Sequence, residues 1–378
     1  MATVTKTIGT SSRDYSTITA WEADLSEASI YSNGDDAVGE MYADSTFTDN
    51  VVTFNGGTSI GGSSGQDLNS VKLTVAAGSR HDGTAESGAL LKPTAGSGGG
   101  GVMLRVARDD FTIEWLDISL DSLDATTSRG AIALNSGCGN VTIRNMLIHG
   151  VNHTANTSGP IGITSEEALT TSETWYFLNN IIYNIEKSSS NASSLAINVH
   201  AFKGTLHIYN NTIYNIKSQG AGEDAVGIRF GGGTHVQANI KNNIVAGLDE
   251  GDLAAAYWME ENPDSNRVLN SATNLSDDTA DAAKDAEDFD VSKNDSSALI
   301  GKTLAQIDFV STATGSEDLH ISQSSVCIGA GTDLGTTGGV QTDINGRDRD
   351  AKGDTWDIGA HEFTAVARYA SAFVMFVD

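Results

Sequence analysis

One pattern recurs five times in the middle of the chain, and this repeat limits the possible folds more than any other feature. Apolar and polar residues alternate in each copy, and most copies continue through asparagine into a second apolar stretch. The copies lie 30, 34, 31 and 32 residues apart when anchored on one apolar position, at Ile113, Ile143, Phe177, Ile208 and Ile240. Alternation indicates a short strand with one buried face. A single copy cannot bury that face alone, so the copies must stack.

The repeat predicts an all-β fold, a right-handed parallel β-helix or solenoid, in which each copy forms one coil. Leucine-rich repeats have a shorter period and a leucine-rich consensus that is absent here, and a propeller needs hairpin turns between its strands. In a second short strand of each coil, an apolar residue should face inwards. These residues are Ile148, Ile182, Ile213 and Val245.

Asparagine occupies the position two residues after the anchor in four of the five copies, where the first copy has Trp115. Asparagine tolerates left-handed backbone angles and bonds to neighbouring backbone, so it marks the corner after the strand. Stacking would place these side chains in a ladder whose amides bond to those above and below. The predicted ladder consists of Asn145, Asn179, Asn210 and Asn242.

Residues 1–50 are interpreted as a lead-in that covers the open end of the solenoid. The stretch Thr19–Glu22 fits a capping box, which predicts a short helix over about 19–26. An uncovered end would expose apolar core and unpaired backbone, and Trp21 and Leu25 are suited to close it.

The solenoid itself is expected over 51–363, with two or three early coils in 51–110 and an acidic excursion at about 248–300. Seven acids and one lysine lie within 277–290. This run indicates a solvated acidic segment or, as the alternative, a Ca²⁺ site. Residues 364–378 form an apolar C-terminal tail, interpreted either as a last strand or as a docking or oligomerisation segment.

Composition excludes some classes of partner. The formal net charge is −27, which disfavours nucleic acid because phosphate binding depends on Lys and Arg. It also disfavours anionic polysaccharide unless a cation or a local basic patch intervenes. No stretch approaches about 18 apolar residues and no conventional signal peptide is evident, so a membrane span is not expected. Cys138 and Cys327 are expected to be free thiols, because coil stacking separates them.

The C-terminal region carries motifs that resemble a known superfamily. The segment SEDLHISQSSVCIGAGTDLG is followed by TDINGRDRD and WDIGAHEF. These segments resemble the closing coils of right-handed β-helix proteins of the pectate-lyase-like superfamily, from bacteria and phages. On these motifs, Asp343, Arg349 and Asp357 are expected to form a charged clamp over the last coil. The opening of the chain is also similar to β-helix proteins of marine and environmental phages. Lyases, adhesins and virion proteins share this fold, so the resemblance implies fold rather than function.

The register of the repeat assigns the outward-facing residues of each strand to columns. No column holds two acids on neighbouring coils, whereas a glycoside hydrolase needs two or three carboxylates about 5 to 9.5 Å apart. Arg144 and Lys241 lie three coils apart, too far for a shared catalytic centre. The sequence therefore predicts no catalytic residue, no metal ligand and no required cofactor.

Tyrosines and one histidine are concentrated in these columns. Three interpretations remain open: a glycan-binding face, a subunit interface of the kind in which tyrosine is enriched, or a ladder that stabilises neighbouring coils. The residues concerned are Tyr176, His207, Tyr209, Tyr183 and Tyr214.

The leading functional hypothesis is a non-enzymatic structural protein of a phage particle, either a capsid decoration or cement protein or a tail spike or fibre. Its partners would be further copies of the chain and other virion proteins, and the resemblance implies a homotrimer. Such a protein is assembled in the host cytoplasm and then lies on the virion. The first alternative is a polysaccharide lyase or glycoside hydrolase acting on a surface glycan. The second is a carbohydrate-binding adhesin.

Overall fold

Parallel strand pairing joins the repeats in the register that their alignment predicts. Ile143 pairs with Ile113 on one side and with Phe177 on the other. Ile208 pairs with Phe177 and Ile240 in the same way. The computed structural model is therefore an all-β parallel solenoid of about seven turns, and the predicted fold class is confirmed.

Helix is confined to short pieces within the residues that the structure describes. Those residues are 1–62, 67–93, 102–121, 130–135, 138–153, 159–165, 173–188, 192–200, 204–219, 223–231, 237–249, 253–259, 268–277, 297–352 and 355–364. The α-helices are α1 Ile18–Ala23 and α2 Leu304–Ile307, and the 3-10 helices are Asp24–Ser26, Ile60–Gly62, Ala77–Ser79, Thr337–Gly339 and Arg349–Lys352.

The first sheet runs the length of the solenoid and begins at Thr3. Residues 1–50 therefore contribute strands to the stack as well as the lead-in helix that the sequence predicts. The nine strands of this sheet are β1 Thr3–Ile8, β2 Asp36–Met41, β5 Ser70–Val75, β8 Phe111–Glu114, β11 Val141–Arg144, β14 Thr174–Leu178, β17 Thr205–Tyr209, β20 Gln237–Lys241 and β23 Val268–Ala272.

The second sheet follows the asparagine corner and buries the residues predicted to face inwards. Ile148, Ile182, Ile213 and Val245 pair in register and are fully buried. The eight strands of this sheet are β3 Thr46–Phe47, β6 Leu90–Leu91, β9 Asp117–Ser119, β12 Leu147–His153, β15 Ile181–Lys187, β18 Thr212–Ser218, β21 Ile244–Ala246 and β24 Leu275–Ser276.

The third sheet completes each coil. Its seven strands are β4 Val52–Phe54, β7 Val102–Val106, β10 Gly130–Leu134, β13 Ile161–Ser165, β16 Ser194–His200, β19 Asp224–Gly231 and β22 Leu253–Met259. One core of apolar side chains lies between the three sheets.

The solenoid continues through the first part of the region predicted as an acidic excursion. Strands β22, β23 and β24 add another coil that ends at Ser276. Tyr257 anchors this coil, because its hydroxyl lies 3.0 and 3.1 Å from the backbone oxygens of Asn243 and Leu275 and can donate to either of them. Small alanines in β22 weaken the alternating pattern, which is why the sequence did not indicate this coil. The rest of the acidic run, from residue 278, lies outside the described residues.

A column of asparagines forms the corner between the first and second sheets, but the amide ladder lies one residue later than predicted. The predicted residues do adopt left-handed backbone, with φ between 52° and 57°. The side chains that bond from coil to coil are instead those of the following residues. Each amide nitrogen donates to the next amide oxygen over 2.9 Å, in the order Asn180, Asn211, Asn243 and Asn274.

The physical reason lies in the direction of the two side chains at the corner. The second asparagine is buried inside the turn, where its amide bonds mainly to backbone and to its counterparts in neighbouring coils. The first asparagine faces outwards, and three members of its column donate instead to backbone oxygens of a C-terminal segment. The sequence pattern Asn–Asn does not reveal which of the two points inwards.

The N-terminal helix closes the end of the core as predicted. Trp21 and Leu25 are fully buried, and the Trp21 ring packs edge-on against Phe54 at 6.3 Å. The helix is capped by Thr17, whose side chain accepts from Ala20, rather than by the predicted Thr19. Thr19 bonds through its backbone nitrogen and its hydroxyl to Asp49.

Removing one rung of the amide ladder should destabilise the protein. We expect Asn211→Ala to cost about 1–3 kcal/mol in the free energy of unfolding, because it leaves buried donors and acceptors of neighbouring coils unpaired. Urea unfolding of the variant beside the wild type measures this loss. The matched control is Asn33→Ala at an exposed position, with an expected cost of about 0.5 kcal/mol or less. Equal losses in the two variants would contradict a structural role for the ladder.

Candidate functional site

A C-terminal segment leaves the solenoid and covers the outer face of the second sheet. Residues 297–364 are called the strap here, and they include α2 and an antiparallel pair, β25 Phe309–Ser311 and β26 Asp318–Ile321. Apolar residues of the strap and the sheet form a second core. Its buried members are Leu147, Ile181, Tyr183, Ile244, Ala246 and Leu275 from the sheet, and Ile307, Phe309, Leu319, Ile321, Cys327, Ile344, Ile358 and Ala360 from the strap.

The strap changes the environment of two of the aromatic residues that the sequence singled out, Tyr183 and Tyr214. Tyr183 is only 3 % exposed and stacks on His149 of the neighbouring coil, with ring centroids 5.1 Å apart. Tyr214 packs edge-on against Phe309 of the strap at 5.9 Å. This surface differs from the open face that the columns indicated, because the chain itself covers it.

The other three predicted residues lie on the first sheet near the corner. Tyr176 stacks on His207 with centroids 4.7 Å apart, and His207 Nδ1 lies 2.8 Å from the Tyr209 hydroxyl. Tyr209 is buried against Val340 and Trp356 of the strap. Burial, together with the positive charge of Lys241, lowers the pKa of His207. A glycan-binding or subunit-interface role for the partly exposed pair Tyr176 and His207 stays a prediction.

A fully buried arginine fixes the strap to the solenoid. One terminal nitrogen of Arg349 donates to Glu362 over 3.1 Å, and the other donates to Asn179 over 3.2 Å and to the Gly359 oxygen over 2.8 Å. Burial lowers the pKa of Arg349, while the carboxylates around it oppose that effect. A buried charge is tolerated only when it is paired and hydrogen-bonded in this way.

The predicted clamp is therefore corrected in two respects. Arg349 forms its ion pair with Glu362, which the prediction did not include. The charges of Asp343 and Asp357 also act on Arg349, and their carboxylates accept bonds from backbone nitrogens within the strap. The cluster lies along the side of the stack, against Asn179, rather than over the last coil. Motif spacing could not place the cluster because the strap folds back over earlier coils.

A cleft opens where the strap passes the coil corner at the edge of the second sheet. Its volume is about 580 Å³. The lining residues are Thr84, Ala85, Glu86, Asp121, His149, Tyr183, Asn184, Thr314, Gly315, Ser316, Glu317 and Asp318. They come from three separate parts of the chain, which are an early loop, three successive coils and the strap.

His149 is the central ionisable group of the cleft and lies between two carboxylates. Its Nε2 is 3.0 Å from Asp117 Oδ1, and its Nδ1 is 3.4 Å from Asp121 Oδ2. Burial alone would lower the pKa of His149, but hydrogen bonds to Asp117 and Asp121 raise it to about 9. The imidazole is therefore protonated at neutral pH, so it cannot serve as a general base there.

A close approach at Gly150 permits this arrangement. Gly150 has a φ of 71°, and a Cβ at this position would lie 1.7 Å from Asp121 Oδ1. The absence of a side chain allows the Asp121 carboxylate to fold against the coil and to reach His149.

The strap supplies further acids to the same cleft. Glu317 is largely buried, and its two oxygens accept from the Asn184 amide and the Gly315 nitrogen at 2.9 and 3.0 Å. Asp318 next to it pairs with His320. Glu86 faces the cleft from the early loop and pairs with Lys92 over 2.7 Å.

The outward-facing columns of the sequence do not reveal this cleft. Asp117 and His149 lie in neighbouring coils, but Glu86 and Glu317 come from loops that belong to no column. The motif that contains Glu317 was visible in the sequence, yet nothing in it indicated a cleft shared with His149, 168 positions earlier.

Metal and membrane sites are not evident in the described part of the chain. No group of three or more His, Cys, Asp or Glu residues there is arranged to hold a metal ion. Of the acidic run considered for Ca²⁺, only Asp277 is described, and it accepts from the Gly247 nitrogen over 2.8 Å. No helix among the described residues has the length and apolar character to span a membrane. Cys138 and Cys327 are free and buried, as predicted.

Comparison with known proteins assigns no relative. Neither a protein-family model nor a curated protein matches the chain.

Replacing Arg349 should loosen the strap. We expect Arg349→Met to lower the free energy of unfolding by about 3–5 kcal/mol, because Glu362 would remain buried without its partner. Urea unfolding measures the loss. Lys6→Met is the control, since Lys6 forms a 3.8 Å ion pair with Asp14 at the surface and should contribute about 1 kcal/mol or less. A loss no larger than that of the control would argue against Arg349 as an anchor.

The protonation of His149 should make stability depend on pH. The folded pKa of about 9 lies above the ordinary 6.5, so the stabilising contribution is complete below pH 6.5 and is lost as the pH rises through 9. This loss is at most about 3 kcal/mol. Urea unfolding across this range should show the decline in the wild type and a smaller decline in His149→Gln. Parallel pH profiles for the two proteins would exclude the raised pKa.

Proposed function

We propose that the chain is a non-enzymatic structural protein of a phage particle, serving as a capsid decoration or cement protein or as a tail spike or fibre. The observation that carries this proposal is the attachment of the strap to successive coils. Asn145, Asn179, Thr212 and Asn242 belong to four successive coils, and each bonds to the strap.

Attachment of the strap to several coils should slow the unfolding of the stack. In a solenoid each coil contacts only its neighbours, so unfolding can begin at an end and proceed coil by coil. A strap bonded to four coils couples their unfolding and should raise the barrier. Proteins exposed on a particle outside the cell depend on such kinetic stability, since no cellular machinery refolds them.

Charge and sequence resemblance also support a virion role. A net charge of −27 keeps a long, rigid molecule soluble. The opening and closing segments resemble phage β-helix proteins, in which trimers are common. We therefore propose that the partners are further copies of this chain and other virion proteins. The apolar tail at 364–378, which lies outside the described residues except for Thr364, would be the assembly segment.

Polysaccharide cleavage is the second candidate function, and one observation favours it. The strap brings Glu317 into the same cleft as Asp121 and Glu86, and glycoside hydrolysis uses a pair of carboxylates. A lyase is less well supported, because Arg144, a candidate base on the first sheet, is paired with Glu114 at 2.5 Å. Sugar binding without cleavage would instead make the protein an adhesin.

Light scattering of the purified protein tests the proposal. We expect the full chain to form an oligomer, most simply a trimer, and a chain ending at Thr364 to be monomeric. The same preparations are incubated with neutral, acidic and amino polysaccharides, and released reducing ends and unsaturated uronates are measured. A monomeric full chain that cleaves one of these polymers would overturn the structural assignment and establish the enzyme alternative.

A further inference from the structure

The cleft is lined by a tyrosine whose ring is buried and whose hydroxyl has no hydrogen-bond partner among the described residues. The ring of Tyr183 is held between His149 and the strap, and the residue is only 3 % exposed. No described group hydrogen-bonds to its hydroxyl. Burial raises the pKa of Tyr183, and the charges of Asp117, Glu317 and Asp121 raise it further, so the hydroxyl stays protonated and can donate a hydrogen bond.

Buried tyrosine hydroxyls ordinarily find a hydrogen-bond partner. The packing that holds the Tyr183 ring in place therefore presents an unused donor and acceptor to the cleft. The ring cannot turn away, because it is stacked on His149 with the two planes within 10° of each other. A ligand in the cleft would meet a polar group in a fixed position.

The charge of the cleft favours a cation. Four carboxylates line it, from Glu86, Asp121, Glu317 and Asp318. Lys92, His149 and His320 pair with the first, second and fourth of these, and Glu317 has no cationic partner among the described residues. The side chains of Glu86 and Asp121 are more than half exposed, so both can reach a ligand from the solvent side. Glu317 is held rigidly by Asn184 and Gly315 on the opposite, buried side.

The spacing of these acids favours an organic cation over a metal ion. No three of the described acidic or histidine side chains converge closely enough to hold one metal. The acids are instead distributed around a space of about 580 Å³, a volume typical of sites for small organic ligands. Thr84 and Ser316 also line this space, and their hydroxyl oxygens can accept hydrogen bonds from such a ligand.

We propose that this cleft binds a small organic cation through its ammonium group, with Asp121 and Glu317 as the charged contacts and the Tyr183 hydroxyl as a neutral one. This assignment goes beyond the structural role and does not require cleavage of any bond. Two sources have the required chemistry, an amino sugar and a polyamine, and they differ in whether hydroxyl groups accompany the ammonium group.

Calorimetric titration of the full-length protein with three probes tests the site. Glucosamine combines an ammonium group with hydroxyls, spermidine has ammonium groups alone, and N-acetylglucosamine retains the sugar without the charge. We expect glucosamine or spermidine to bind and N-acetylglucosamine to bind at least about tenfold more weakly. Tighter binding of glucosamine than of spermidine would identify an amino sugar as the source, and the reverse order a polyamine.

Two variants localise the binding to the cleft. Asp121→Asn removes a half-exposed charge, and Tyr183→Phe removes the hydroxyl while it retains the stacked ring. We expect each to weaken binding of the ammonium probe, by about tenfold for the first and severalfold for the second. Asp14→Asn, at an exposed ion pair far from the cleft, is the matched control and should not change the affinity. Thermal unfolding verifies that each variant is folded.

Several results would overturn the proposal. These are the absence of binding by both ammonium probes, equal binding of N-acetylglucosamine, or an affinity unchanged in both cleft variants. Calcium chloride is titrated separately, and a calcium response that disappears in Asp121→Asn, without any response to the ammonium probes, would assign the cleft to a metal ion instead.

Discussion

The structure depends on parallel backbone pairing between coils, and that pairing depends on a corner with left-handed backbone. The first asparagine of the corner adopts the positive φ in four successive coils, which turns the chain from the first sheet into the second at the same place each time. The second asparagine then bonds to its counterpart in the next coil, inside the turn. Because the corner recurs in register, both sheets extend as continuous surfaces.

The strap packs on this regular outer surface. The outward residues of the second sheet include Leu147, Ile181 and Ile244, which would be an exposed apolar patch without a cover. The strap buries them and contributes the Arg349–Glu362 pair, which bonds to the outward asparagine of the corner. The two asparagines thus have separate roles, one within the solenoid and one at its junction with the strap.

The same junction produces the cleft. The loop that contains Glu317 crosses the coil edge beside His149 and Tyr183 without filling the space between them. The two carboxylates bonded to His149 keep it charged, and the stack on Tyr183 keeps it in place. A structural role for the strap and a ligand site in the cleft are compatible, because both follow from one segment that folds back over the stack.

The repeat was sufficient to predict the parallel solenoid, its register and its inward-facing residues, because each coil has the same local pattern and alternation specifies the buried face. The sequence also indicated that Trp21 and Leu25 close the N-terminal end of the core. Three features became evident only in the folded chain: which asparagine forms the ladder, that Glu362 is the partner of Arg349, and that His149 and Glu317 share a cleft. Some of these features depend on contacts between segments that lie well over a hundred residues apart. A local periodicity cannot predict them, because it contains no information on where a non-repetitive segment folds back.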